Sequence, residues 1–266
     1  MSEWRSLLTG DGCPTLVHPR HGEPCHDTRG AWAEALELHV AGCDLPRRLL
    51  RGERVRLLDV GTAPGWNLAA AWSLATRLPG LLEVTTVERS KEALAAAAAL
   101  AEEGSWQAGA PGEAVRSFRA VQRSLQGAWD GAWRAAHGRV RMRCLLGEAA
   151  EVVGSLDAEE RFDAVFLDAF SPQVDPGAWE AGFLGALADR LAEGGRLTTY
   201  TLSHPVRAAL LARGLGVGWA GARSGRRGGT WASRGGWVPP LEERLRARLE
   251  RRSARVARAQ GWATTG

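Results

Sequence analysis

The chain has 266 residues, 45% of them hydrophobic and 24% charged, the balance of a globular protein with one large domain or one domain and a small lobe. It holds no apolar run long enough for a membrane-spanning helix, and its first residues, MSEWRSLLTGDG, lack the basic-then-apolar layout of a secretory signal, so the cytosol is the expected compartment. The net charge of +4 is unevenly spread: residues 190–266 carry +11 and residues 1–189 carry −7, which suggests a polyanionic partner, nucleic acid first, for the C-terminal part.

In chain order, residues 1–50 read as a turn-rich extension with one helix near 30–41. Residues 54–60 (RVRLLDV) form a buried strand, followed by the turn GTAPGWN and the helix NLAAAWSLATRL. A second strand (82–88) leads into the alanine-rich helix SKEALAAAAALAEEG, ended by Gly104. Residues 104–140, with three tryptophans, are read as an inserted helical cap. Strands at 141–146 and 162–168 follow, separated by a helix near 147–156. Then come a helix near 176–192, the strand GRLTTYT, a helix at 204–213, and short strands near 215–220 and 229–234. This alternation predicts an α/β fold with a doubly wound, mostly parallel seven-stranded sheet. The expected organisation is an N-terminal extension (1–50) over the substrate side, one domain over 51–236 with the insertion 104–140, and a basic helical tail over 237–266.

Four cysteines (Cys13, Cys25, Cys43, Cys144) are too few and too scattered for a disulfide framework. Cys13, His18, His21, Cys25 and His26 crowd one segment, but no C-x2-C pair and no second ligand cluster accompany them. No metal site is expected.

Ligands of open α/β sheets bind beyond the carboxyl ends of the strands. The first such end is Asp59-Val60-Gly61-Thr62-Ala63-Pro64-Gly65-Trp66-Asn67. Small residues at 61, 63 and 65 let the backbone approach a ligand. The dinucleotide fingerprint G-x-G-x-x-G is not met, because 63 is Ala and 66 is Trp. Acid-x-Gly-x-Gly-x-Gly with its middle glycine replaced is closer to an S-adenosylmethionine turn, and Asp59, Gly61, Ala63, Gly65 and Asn67 are its candidate residues. Glu88 ends the second strand, where a carboxylate can accept from both ribose hydroxyls. Glu148 follows the third strand, placed for an adenine amino group. Asp168 ends the fourth, in VFLDAFSPQVDPGAW, where a carboxylate beside a reacting amine can orient it and take its proton. The alternative, a helix cap, is disfavoured because the next helix starts only near Asp175-Pro176.

With these residues in view, the chain resembles the MnmC-type tRNA methyltransferases over most of residues 14–233. PTLVHPRHGEPCHDTRGAWAEAL is similar to the family's N-terminal block, GTAPGWNLAAAW to its cofactor turn, and FLDAFSPQVDPGAW to its strand-four motif. GRLTTYTLSHPVRAALLARG and SGRRGGTWAS resemble the blocks that follow. Ala63 stands where the family has Gly, Cys25 where it has Tyr and Asp27 where it has Ser.

The resemblance implies a class I S-adenosylmethionine-dependent (Rossmann-like) methyltransferase, stand-alone and without flavin, that methylates the 5-aminomethyl group of a tRNA wobble uridine. It implies Asp168 as the catalytic group beside the cofactor. Phe170, Ser171 and Pro172 would then wall the substrate pocket, and Arg223, Arg226 and Arg227 in the turn SGRRGG would meet the RNA backbone. Two alternatives stay open: a methyltransferase of a small-molecule amine, and a catalytically inactive cofactor- or RNA-binding homologue.

Overall fold

The computed structural model describes residues 3–126, 129–220 and 228–262, with backbone only at 135 and 136. The chain opens with a hairpin of β1 (Arg5–Leu8) and β2 (Pro14–Val17). Helix α1 (Ala31–Glu34) runs on as a π-helical segment over Ala35–Val40, and α2 (Leu45–Leu50) follows. The repeating part comprises β3 (Arg54–Val60), α3 (Trp66–Ala75), β4 (Leu81–Glu88) and α4 (Lys91–Glu102). Next come α5 (Gly112–Leu125), β5 (Arg134–His137), β6 (Val140–Leu146), α6 (Ala149–Ser155) and β7 (Phe162–Leu167). The C-terminal third holds α7 (Ala181–Asp189), β8 (Leu191–Thr199), α8 (His204–Ala212), β9 (Gly216–Ala220), β10 (Gly229–Ser233) and α9 (Glu243–Gln260).

The sheet order is β5-β6-β4-β3-β7-β8-β10-β9. Strands β6, β4, β3, β7 and β8 run parallel, and β10 is antiparallel to both neighbours. All seven expected strands are present. An eighth, β5, comes from the insertion and pairs antiparallel with β6 at the sheet edge. Its short RAAH sequence carries no strand periodicity, so only the pairing reveals it.

The expected helix at 176–192 is broken: a 3-10 turn covers Pro176–Trp179, α7 starts at Ala181, and β8 already begins at Leu191. Within the described part of the tail, Glu243–Gln260 form one basic helix, α9.

Strand order reverses between β3 and β7, so the crevice opens where Val60 and Leu167 end. Each face of the sheet has its own apolar layer. One joins Trp32, Leu57, Trp66, Leu94 and Phe118; the other joins Leu58, Val165, Phe183, Leu187 and Leu210. Burial on both faces explains why the end of β3 loses its polar alternation: Leu57, Leu58 and Val60 are at most 1% exposed, and Asp59 among them is buried too.

Among the described residues, none of the insertion lines the crevice. Its amphipathic helix α5 buries Ala114, Phe118, Val121 and Leu125 and packs beside α3 and α4. Phe118 stacks on Trp66 with centroids 4.2 Å apart, and Trp106 meets both rings edge-on. Gln122 donates from Nε2 to the Pro64 carbonyl at 2.6 Å. The insertion thus braces the β3–α3 turn from behind.

Candidate active site

A cleft of about 1770 Å³ lies beyond the carboxyl ends of β3, β4, β6 and β7, floored by the sheet and walled by the N-terminal segment. Gly61 opens it. Its φ of 84° is a left-handed conformation, and a Cβ there would lie 2.6 Å from the Asp168 carbonyl oxygen. Its N–H donates to the Val87 carbonyl, while the Asp168 N–H donates to Val60, so the turn is stitched between β4 and β7.

Glu88 faces the cleft and is 8% exposed. Its Oε2 accepts from the Ala63 N–H at 3.0 Å, and its Oε1 from the Arg89 and Ser90 N–H groups, each at 2.9 Å. Burial raises its pKa and those three backbone donors oppose the rise. Arg89 spans outward to Asp175 at 3.3 Å and Glu148 at 3.8 Å, and all three line the cleft.

Asp168 sits at the switch point, its side chain 6% exposed. Asn67 donates from Nδ2 to Asp168 Oδ2 at 2.7 Å. His26 and His39 approach from the other side, each with Nε2 at 3.8 Å from the same oxygen. Both imidazoles are buried and bond a threonine through Nδ1: His26 to Thr15 at 3.2 Å, His39 to Thr198 at 2.9 Å. Neither Nε2 has a hydrogen-bond partner among the described residues. Desolvation drives His26 down to about 4 and His39 to about 3, so both are neutral at pH 7. The same burial, with the nearby Asp59 charge adding to it, pushes Asp168 up to about 7 against the Asn67 hydrogen bond.

The outer wall is aromatic. His18 meets Phe170 edge-on at 5.0 Å and Trp4 at 5.5 Å, and Trp4 lies 6.3 Å from Phe170. Glu23 latches this wall to the loop after β7. Its Oε1 accepts from the Ser171 N–H at 2.7 Å and its Oε2 from the Ser171 hydroxyl at 2.5 Å.

Of the residues singled out in the sequence, Gly61, Ala63, Glu88, Glu148, Asp168 and Phe170 line the cleft together. Asp59 does not: it is fully buried behind the turn, where Oδ2 accepts from Thr86 at 2.9 Å and burial pushes its pKa to about 7. Gly65 and Asn67 also lie behind the lining, Gly65 with φ 110° as the residue before α3 and Asn67 as the donor to Asp168. Ser171 is turned toward Glu23, and Pro172 is exposed outside the lining. Arg223, Arg226 and Arg227 lie outside the described residues. Asp168 caps no helix; its side chain is spent on Asn67 and faces the two histidines.

Sequence reasoning missed His39, Glu23, Trp4 and Gln122. His26 was weighed only as a metal ligand, and the described residues hold no group of three or more His, Cys, Asp or Glu suited to a metal. His39 carried no signal, because the π-helical turns that aim it at Asp168 leave no trace in ALELHV.

Residues 114–235 match the family described as S-adenosyl-L-methionine-dependent methyltransferase. This is an S-adenosyl-L-methionine-dependent methyltransferase domain. The chain is 31% identical over 235 residues to the tRNA 5-methylaminomethyl-2-thiouridine biosynthesis bifunctional protein MnmC of Aromatoleum aromaticum, covering 84% of this chain and 34% of that protein. It is 29% identical over 213 residues to the MnmC protein of Delftia acidovorans, covering 78% and 31%. The chain therefore spans about a third of the length of the curated relatives it matches. The crystal structure of MnmC2 from Aquifex aeolicus superposes with a TM-score of 0.76 at 28% identity, covering 94% of this chain and 76% of that one. These likenesses relate the domain to the methyltransferase part of the MnmC proteins. No described helix is long and apolar enough to cross a membrane.

Proposed function

We propose that the domain methylates a primary amine on RNA, the 5-aminomethyl group of a tRNA wobble uridine, with or without a 2-thio group, giving 5-methylaminomethyl. The observation that carries this reading is the placement of Asp168: a nearly buried carboxylate between the Gly61 turn and an aromatic wall, held by Asn67 on one side with two neutral histidines on the other. The relatives' printed role in 5-methylaminomethyl-2-thiouridine biosynthesis supports the choice of substrate.

The cleft suits S-adenosylmethionine. Gly61 lets the backbone approach closely, and Glu88 presents a carboxylate whose remaining Oε2 lone pair can accept from a ribose hydroxyl. Glu148, more exposed at the rim, is placed for the adenine edge. When bound, S-adenosylmethionine supplies an electrophilic methyl group on a sulfonium that departs as the neutral thioether.

The chain's own residues then align and desolvate the amine, the main requirement of an in-line displacement. An alkyl amine is mostly protonated at neutral pH, and the nitrogen must lose a proton to present its lone pair. Asp168 accepts that proton at Oδ1 or Oδ2, and a carboxyl poised near 7 is well matched to doing so. His26 and His39, neutral, add no competing positive charge beside the amine. Trp4, His18 and Phe170 offer faces and edges on which an unstacked base can rest.

The test is methyl transfer from labelled S-adenosylmethionine to tRNA from cells lacking the modification, followed by nucleoside analysis. Label in 5-methylaminomethyluridine or its 2-thio form is expected. Label only in a small-molecule amine, or none in tRNA, would overturn the assignment.

A further inference from the structure

The basic tail helix is arranged more narrowly than its composition requires. Helix α9 holds seven arginines and two glutamates. Arg244, Arg248, Arg251, Arg255 and Arg258 follow one another at alternating steps of four and three residues. At 3.6 residues per turn, these five fall within a sector of roughly 80°. All five are exposed. The opposite side buries Leu249 and Ala257 against the domain, so the stripe points away from it.

Both acids lie off the stripe. Glu243 and Glu250, seven residues apart, share another flank, and Glu250 accepts at 2.8 Å from Arg246, which with Arg252 stands outside the sector. Among the described residues none of the five stripe arginines is in an ion pair. An ordinary solvated helix mixes both signs around its surface. Here the charge is sorted: one face positive over about 21 Å, and no acid within it.

The position of the helix matters equally. Helix α9 packs along α8 in the same direction. Near its middle, Arg248 and Arg252 come close enough to His204, the first residue of α8, for their charges to lower its pKa, after the larger effect of burial. His204 follows Thr201 and Leu202, which line the cleft. At the far end, Arg213 after α8 lies over the Trp262 ring at 5.1 Å, and Trp262 sits against Gly185 of α7. The stripe therefore starts near the mouth of the cleft and runs away from it along a firmly docked helix.

We propose that the α9 arginine stripe is the docking face for the RNA sugar-phosphate backbone, holding the strand that leads from the base inserted in the cleft. The partner's identity rests on the function proposed above; the face itself rests on the sorting of charge on α9. Arginines whose Cβ atoms stand about 5–6 Å apart along one face can present paired guanidinium donors to successive phosphates without reading bases. Arg255 and Arg258 lie past the level of His204 and Arg251 lies level with it on the outward stripe, and no described contact joins any of the three to a cleft residue.

The test uses the full chain with Arg251→Gln, Arg255→Gln and Arg258→Gln combined, and a second variant with Lys at the same three positions. Glutamine keeps helix propensity and the sites are exposed, so circular dichroism should match the wild type. Dissociation constants for unmodified tRNA are measured at several salt concentrations. The glutamine variant should weaken binding and flatten the slope of log K against log salt by about 2–3, the sum for three lost phosphate contacts. The lysine variant should keep the wild-type slope, and S-adenosylmethionine affinity should be the same in all three proteins.

Equal slopes for the glutamine variant and the wild type would overturn the docking face, whatever the enzyme's activity. So would a wild type that binds no tRNA, or a glutamine variant that loses only binding to vesicles of anionic lipid. A wild type that methylates tRNA with equal slopes would remove the face and keep the function. Salt-dependent binding through the stripe with no methyl transfer would remove the function and keep the face.

Discussion

The two halves of the cleft are built in different ways. The side proposed for the cofactor is backbone architecture: strand ends β3 and β4, a turn whose glycine is required by the Asp168 carbonyl 2.6 Å from its would-be Cβ, and a glutamate fixed by three N–H groups. Behind it stand Gln122 and the stacked Trp66–Phe118 pair. The substrate side is side-chain architecture: a hairpin and loop from the first 30 residues, closed against the loop after β7 by Glu23 and an aromatic contact. Asp168 belongs to both, since its main chain completes the turn and its side chain faces the extension's histidine. Rigid backbone suits a cofactor that never varies; a wall of separate contacts suits a substrate that must enter and leave.

That comparison makes the halves separable by mutation. The largest effect is expected at their joint: Asp168→Asn should slow single-turnover methyl transfer on the order of 10²–10⁴-fold, because an amide takes no proton, while leaving the fold and cofactor binding in place. On the cofactor side, Glu88→Ala should weaken S-adenosylmethionine by about 1–3 kcal/mol, read by calorimetric titration. An unchanged dissociation constant would move the ribose contact elsewhere.

Across the cleft, Glu23→Gln keeps one acceptor for Ser171 and loses the other. The KM for tRNA should rise by about fivefold, roughly 1 kcal/mol, with the cofactor constant unmoved. Equal changes in both constants would show that the halves are coupled rather than separable.

The smallest effect concerns stability against pH. Asp59 and Asp168, raised from 3.8 to about 7, hold protons in the folded state that the unfolded chain has already lost, so they make stability fall as pH rises from about 4 to about 7. His26 and His39, lowered from 6.5 to about 4 and 3, act in the opposite sense, because the unfolded chain binds protons that the fold refuses as pH drops below 6.5. The two slopes oppose each other over the same window. His39→Gln removes one histidine, so denaturant unfolding should show the variant gaining on the wild type as pH falls from 6.5 to 4, by at most about 1.4 kcal/mol per pH unit. Parallel curves would mean that His39 is not buried as the neutral ring.

How much of this the sequence disclosed follows the same division. Seven sheet strands, the Gly61 turn, Glu88 and Asp168 were legible because they obey local rules: apolar runs, glycine at a tight turn, an acid where a strand stops. Asp59 was misplaced as a lining residue. A sequence shows that an acid ends a strand but not which face it points to, and this one is turned inward to Thr86. The inserted segment at 104–140 is legible in the sequence, but not its contacts: described residues there support the turn from behind. His39 and Glu23 meet Asp168 and Ser171 across gaps of 129 and 148 residues, and no local pattern announces such a meeting.

Asp168 is the proposed acceptor of the amine's proton, and the pH profile of single-turnover methyl transfer at saturating tRNA and cofactor tests that role most directly. If the carboxylate takes the proton, the wild-type rate should rise tenfold per unit and then level at or below about pH 7, the bound sulfonium pulling the carboxyl down from its apo value. In Asp168→Asn the rate should be far lower and should keep climbing to pH 8.5, following only the free amine. Profiles of the same shape in both proteins would contradict the account and leave Asp168 a structural group.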